Sequence, residues 1–104
     1  MNDRKLKSQG ESAFSEPSKE MVALYQEHVP QYLAEFQTAI GDDDQKSVLF
    51  HAHKMSSAMK TMGFTNISDL LDEIQRNKPE GPELHEIGNK IEKLVGHTLV
   101  LLAK

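Results

Sequence analysis

VLFHAHKMSSAMKTMG, residues 48–63, decides the fold of this chain. Within it Val48, Ala52, Met55, Met59 and Met62 recur at spacings of 4, 3, 4 and 3. A helical step of about 100° per residue gathers these five onto one face, so the stretch predicts an amphipathic helix whose seam packs against other helices. Gly63 predicts its end. Asp42, Asp43 and Asp44 precede it, and acids there favour a helix N-terminus by capping and by complementing the macrodipole.

Upstream, a helix is predicted from near Pro17, a residue tolerated in an opening turn, with Met21, Leu24, Tyr25, Val29, Tyr32, Leu33, Phe36 and Ile40 on its apolar face. Pro30 lacks a backbone donor and crowds the preceding turn, which predicts a kink or a split. Gly41 ends this helix. Downstream, Thr65 or Asn66 is placed to cap a third helix burying Ile67, Leu70, Leu71 and Ile74, which stops at the breakers Asn77, Pro79 and Gly81. Pro82 then opens a fourth, with Leu84, Ile87, Ile91, Leu94, Val95, Thr98, Leu101 and Leu102 inward. Short connections favour antiparallel neighbours. The expected fold is all-α, an up-down-up-down four-helix bundle over residues 17–104.

Composition narrows the class of function. With 104 residues and 38% apolar content the chain is long enough for one small domain. Having no cysteine, it has neither disulfides nor thiolate metal sites, and a cytoplasmic location is expected. A net charge of −4, with 12 basic and 16 acidic residues intermixed, argues against nucleic acid as a partner. No apolar run approaches the roughly 20 residues that cross a bilayer, so membrane insertion is not expected. Residues 1–16 are polar and nearly aperiodic. They read as a flexible arm or linker, without the apolar core of a signal peptide.

His53 stands out against the methionine seam. Measured around the helix from His53, Val48, Met55 and Met62 lie roughly 140° to 200° away, whereas Lys46, Leu49, Phe50, Ser56, Ser57 and Lys60 fall within about 60°. The imidazole is therefore expected to face water. Its ordinary pKa near ~6.5 leaves a lone pair at neutral pH, which makes it a competent nucleophile. Lys60, Lys46 and the neighbouring Lys54, with the hydroxyls of Ser56 and Ser57, are candidates to steady a phosphoryl group on that nitrogen. Ser56 and Ser57 have an alternative use, bonding back to carbonyls of their own helix. Leu49 and Phe50 are candidate docking contacts, since apolar groups rimmed by polar ones mark interfaces, with packing inside the bundle as the alternative. A metal is not expected, because His51 and His53 at i, i+2 point ~200° apart.

The run Ala52-His53-Lys54-Met55-Ser56-Ser57, with Gly63 ten positions after the histidine, resembles the signature of histidine-containing phosphotransfer (HPt) domains of multistep two-component signalling. That family's pattern is Ala-His-x-(apolar)-Lys-Gly-Ser with a later glycine. The resemblance implies a four-helix bundle whose second helix displays the phosphoacceptor, here His53, with Gly63 as the small residue closing the motif. It also implies a phosphocarrier without autonomous catalysis. The partners it implies are response-regulator receiver domains and a hybrid sensor histidine kinase, with Mg²⁺ carried by the receiver rather than by this chain; a monomer is expected, though the residues leave the oligomeric state open. Two positions depart from the pattern, Ser56 for lysine and Ser57 for glycine. The lost cation is worth about 1–3 kcal/mol at ~6 Å from a phosphate, with Lys60 and then Lys54 as substitutes. A receiver-binding module that takes no phosphate is the alternative function. A small helical enzyme, which would need converging cationic anchors, ranks below both.

Overall fold

The computed structural model describes residues 17–103, and the expected arm at residues 1–16 lies outside them. The described residues form four helices and no strand: α1 (Lys19–Gly41), α2 (Gln45–Met62), α3 (Thr65–Asn77) and α4 (Gly81–Leu102). Contacts that cross between helices fix their directions. Tyr25 meets Thr98 and Gln37 meets Gly88, so α1 and α4 are antiparallel; Tyr25 meets Met59 and Glu35 meets Lys54, while His53 meets Gln75 and Ser56 meets Asp72, so α2 runs against both α1 and α3. The order is up-down-up-down. Each helix packs on its sequence neighbours, and α1 closes the ring against α4.

The methionine seam lies at the centre of this ring. Val48, Ala52, Met55 and Met59 are essentially inaccessible, together with Val29, Phe36, Ile67, Leu71, Ile74, Ile91 and Val95 from the other three helices. Tyr25 crosses the core and donates its hydroxyl hydrogen toward Thr98 Oγ1 at 2.6 Å, while Thr98 donates to the Val95 carbonyl, so both buried hydroxyls are satisfied. At Gly88 a Cβ would come within 2.8 Å of Ile40 Cδ1. A side chain at that position would have to push aside the end of Ile40, so the glycine eases the packing of α4 on α1.

The helix ends explain where the chain turns. Ser18 caps α1 by accepting from Met21 N, and Asp44 caps α2 by accepting from Ser47 N, one of the three acids placed there by the sequence. Gly63 closes α2 at φ 82°, a left-handed conformation in which its N–H and that of Phe64 recover the last-turn carbonyls of Lys60 and Met59.

Several expectations need correction. Pro30 does not split α1, which is continuous from Lys19 to Gly41. Pro30 and Gln26, whose carbonyl loses its partner, are both exposed, so that carbonyl is left on the solvent side while Val29 and Phe36 anchor the helix. Neither Thr65 nor Asn66 caps α3. Phe64 occupies the cap position without a side-chain hydrogen bond, and its ring packs edge-on against Tyr25. Leu24 and Leu101, assigned to the core by spacing, are 53% and 63% exposed because they lie at the edge of the apolar arc.

Candidate functional site

His53 projects from the middle of α2 into solvent, on the flank facing α3. Its Nδ1 lies 3.3 Å from Gln75 Oε1. The other ring nitrogen, Nε2, has no hydrogen-bond partner among the described residues. The imidazole borders an open groove of about 310 Å³ between α2 and α3, lined also by Ser56, Ser57, Lys60, Asp72, Gln75 and Arg76. A phosphoryl group is small against that space, and two cations border it.

Asp72 organises the floor of the groove. Its Oδ1 accepts from Ser56 Oγ at 2.7 Å and from Gln75 Nε2 at 3.3 Å, while its Oδ2 pairs with Lys60 Nζ at 3.2 Å. The Ser56 hydroxyl, and after it the Lys60 ammonium, hold the Asp72 carboxyl below its ordinary pKa. Gln75 Nε2 also donates to the Leu71 carbonyl at 3.3 Å, so one amide links the backbone of α3, the carboxylate and the histidine.

These contacts redistribute the roles expected from the sequence. Lys60 and Ser57 border the groove, but Ser57 Oγ donates to the His53 carbonyl, the backward bond that was its alternative. Ser56 does not point at the imidazole. It is 2% exposed and its hydroxyl is committed to Asp72, because at ~60° around the helix it falls on the α3 interface rather than on the open face. Lys54 is turned to the opposite flank, where it pairs with Glu35 Oε1 at 3.3 Å and lies over the Tyr32 and Phe50 rings. Lys46 is exposed in the first turn of α2, seven residues or about 10 Å of helix from His53, and does not border the groove.

The two docking candidates separate as well. Phe50 is 62% exposed, one turn from His53, whereas Leu49 is half-buried and packs on the core. At Gly63 an added Cβ would meet nothing within 4 Å, so within this chain the glycine serves the left-handed cap rather than a close approach.

Gln75, Asp72 and Arg76 were not picked out as site residues from the sequence. All three sit on α3, and the signal available was their polar spacing around Leu71 and Ile74 on the helix expected beside α2. Among the described residues no group of three or more His, Asp or Glu side chains is arranged to hold a metal ion, and no helix is long and apolar enough to cross a membrane.

Fold and site together define a helical module that offers a solvent-facing imidazole, beside a groove bordered by two cations, from the middle of α2. The chain belongs to the Hpt domain family, whose model matches residues 20–97. Histidine phosphotransfer in two-component phosphorelays is the activity of that family; its members are phosphocarriers rather than catalysts and interact with receiver domains and kinases. No curated protein and no solved structure matches the chain.

Proposed function

We propose that His53 accepts a phosphoryl group from the phospho-aspartate of a receiver domain and passes it to the aspartate of another. The observation that carries this reading is the imidazole itself: exposed at mid-helix, held through Nδ1 by Gln75, and open at Nε2 beside Lys60 and Arg76. The Nε2 lone pair attacks phosphorus in line with the acyl-phosphate oxygen. An N–P bond forms, the P–O bond to the aspartate breaks, and the carboxylate leaves with the electron pair. The ring becomes cationic without releasing a proton, and Gln75 Oε1 accepts from the N–H that remains. On the receiver's side Mg²⁺ supplies charge neutralisation during transfer.

Lys60 is the cation this chain contributes where the family pattern has lysine three residues after the histidine. Its head is largely exposed and, among the described residues, tied to Asp72 alone, so it can exchange that carboxylate for the incoming phosphoryl oxygens. Phe50 offers the apolar contact for the receiver.

The test is incubation with a phosphorylated receiver domain and measurement of label on this chain. Base-stable, acid-labile label that disappears in His53→Gln, with the bundle still folded, is the expected result. Label persisting in that variant moves the acceptor elsewhere. Binding of the receiver with no label on the wild type assigns the chain to the receiver-binding modules instead.

A further inference from the structure

Asp72 lines the floor of the groove and makes no hydrogen bond to the imidazole, yet the geometry of its neighbours gives it control over the ring. A glutamine amide has an end that only donates and an end that only accepts. Gln75 Nε2 stands 3.3 Å from Asp72 Oδ1 and 3.3 Å from the Leu71 carbonyl oxygen, two acceptors on one side. Reversing the amide would set its oxygen against both of them, one carrying a full negative charge. The amide is therefore held with Oε1 toward His53, 3.3 Å from Nδ1. An oxygen there requires a hydrogen on Nδ1, and in the neutral imidazole that leaves the lone pair on Nε2, the outward nitrogen.

We propose that Asp72 is a positioning residue that, by orienting the Gln75 amide, selects Nε2 as the nucleophilic nitrogen of His53. The assignment rests on the reading of His53 as phosphoacceptor for its purpose, but not for its test. Ser56 and Lys60, both on α2, hold the Asp72 carboxylate in place through one bond to each of its oxygens. Ser56 at the position of the family's lysine thus serves this arrangement: a hydroxyl there donates to the carboxylate and leaves Oδ1 open to Gln75 as well.

The experiment is NMR on the uniformly ¹⁵N-labelled chain at alkaline pH, where long-range proton–nitrogen correlations separate the two neutral tautomers. In the wild type His53 is expected as the Nδ1–H form. Asp72→Asn, which keeps the shape but brings an amide that donates to a reversed Gln75, should raise the share of the Nε2–H form, with the Leu71 carbonyl still opposing full reversal, and slow labelling from a phosphorylated receiver in proportion. Adding Gln75→Glu to that variant supplies an acceptor that cannot reverse, and should restore the wild-type tautomer. Asp72→Ala opens no core cavity and should give a mixture, so the question stays answerable if the asparagine variant folds poorly. An unchanged tautomer in either single variant, or no restoration in the double variant, overturns the proposal and leaves the acceptor role of His53 standing. The expected tautomers with no label on the wild type would instead remove the transfer function and keep the assignment.

Discussion

The two flanks of α2 each carry a histidine, two residues apart, and the two meet different surroundings. On the α1 flank, His51 is half-buried, its Nδ1 has no hydrogen-bond partner among the described residues, and Glu35 Oε1 lies 3.8 Å away while it pairs with Lys54. On the α3 flank, His53 is exposed, its Nδ1 is met by an amide oxygen, and its second nitrogen faces solvent. The residue type is the same. What differs is which neighbouring helix supplies the partner: a carboxylate already engaged by a lysine on one side, an oriented amide backed by a carboxylate on the other. A helix that turns ~200° between the two positions separates their chemistry completely.

The sharpest way to break this comparison is to exchange the histidines' fates. His53→Gln is expected to abolish phosphoryl labelling, whereas His51→Gln should retain it, read as acid-labile label from a phosphorylated receiver. Next in size is the contrast between the lysines. Lys60→Ala should shorten the lifetime of the phosphorylated form several-fold, in keeping with about 1 kcal/mol for a partly screened cation, while Lys54→Ala should leave it unchanged, both followed by loss of label with time. Equal effects would mean the Lys54–Glu35 pair opens toward the groove.

Stability separates the adjacent serines. Ser56→Ala removes a buried donor to the Asp72 carboxylate and should cost about 1–2 kcal/mol in urea unfolding, whereas Ser57→Ala, exposed and bonded only to its own helix, should be neutral within a few tenths. The smallest effect is with pH. Asp72 and Glu35 both have lowered pKa values, chiefly through the Ser56 and Lys54 bonds respectively. A carboxyl depressed in the folded state contributes stability above its unfolded pKa and loses it as pH falls through the folded value. Thermal unfolding should therefore be insensitive to these groups from pH 7 to about 5 and weaken below about 4, with Asp72→Asn removing part of the decline.

The bundle was legible because its strongest signal is local. Five apolar positions in sixteen residues specify the buried face of α2, and the breakers at Gly41, Gly63 and Pro79 mark the turns. Leu24 and Leu101 were misassigned because periodicity gives an arc, and the width of the arc that is covered depends on neighbours the sequence does not locate. The site was legible only to the extent that it lies on one helix. His53, Lys60 and Phe50 follow from angular position on α2. Gln75 and Asp72 do not, since they reach His53 and Ser56 from another helix, 22 and 16 residues away, and no local spacing encodes that approach. Ser56 shows the resolution of such reasoning: ~60° of rotation decides between open face and interface.

Between its caps at Asp44 and Gly63, α2 contains neither proline nor glycine, and the face it turns inward is locked among methionines and aliphatics. Receipt of a phosphoryl group by His53 accordingly asks for torsions of a few side chains and for nothing from the backbone. The charged and uncharged states of this molecule would share one shape. Information would then leave with the group that is handed on, as a message leaves with a courier whose own posture tells an observer nothing.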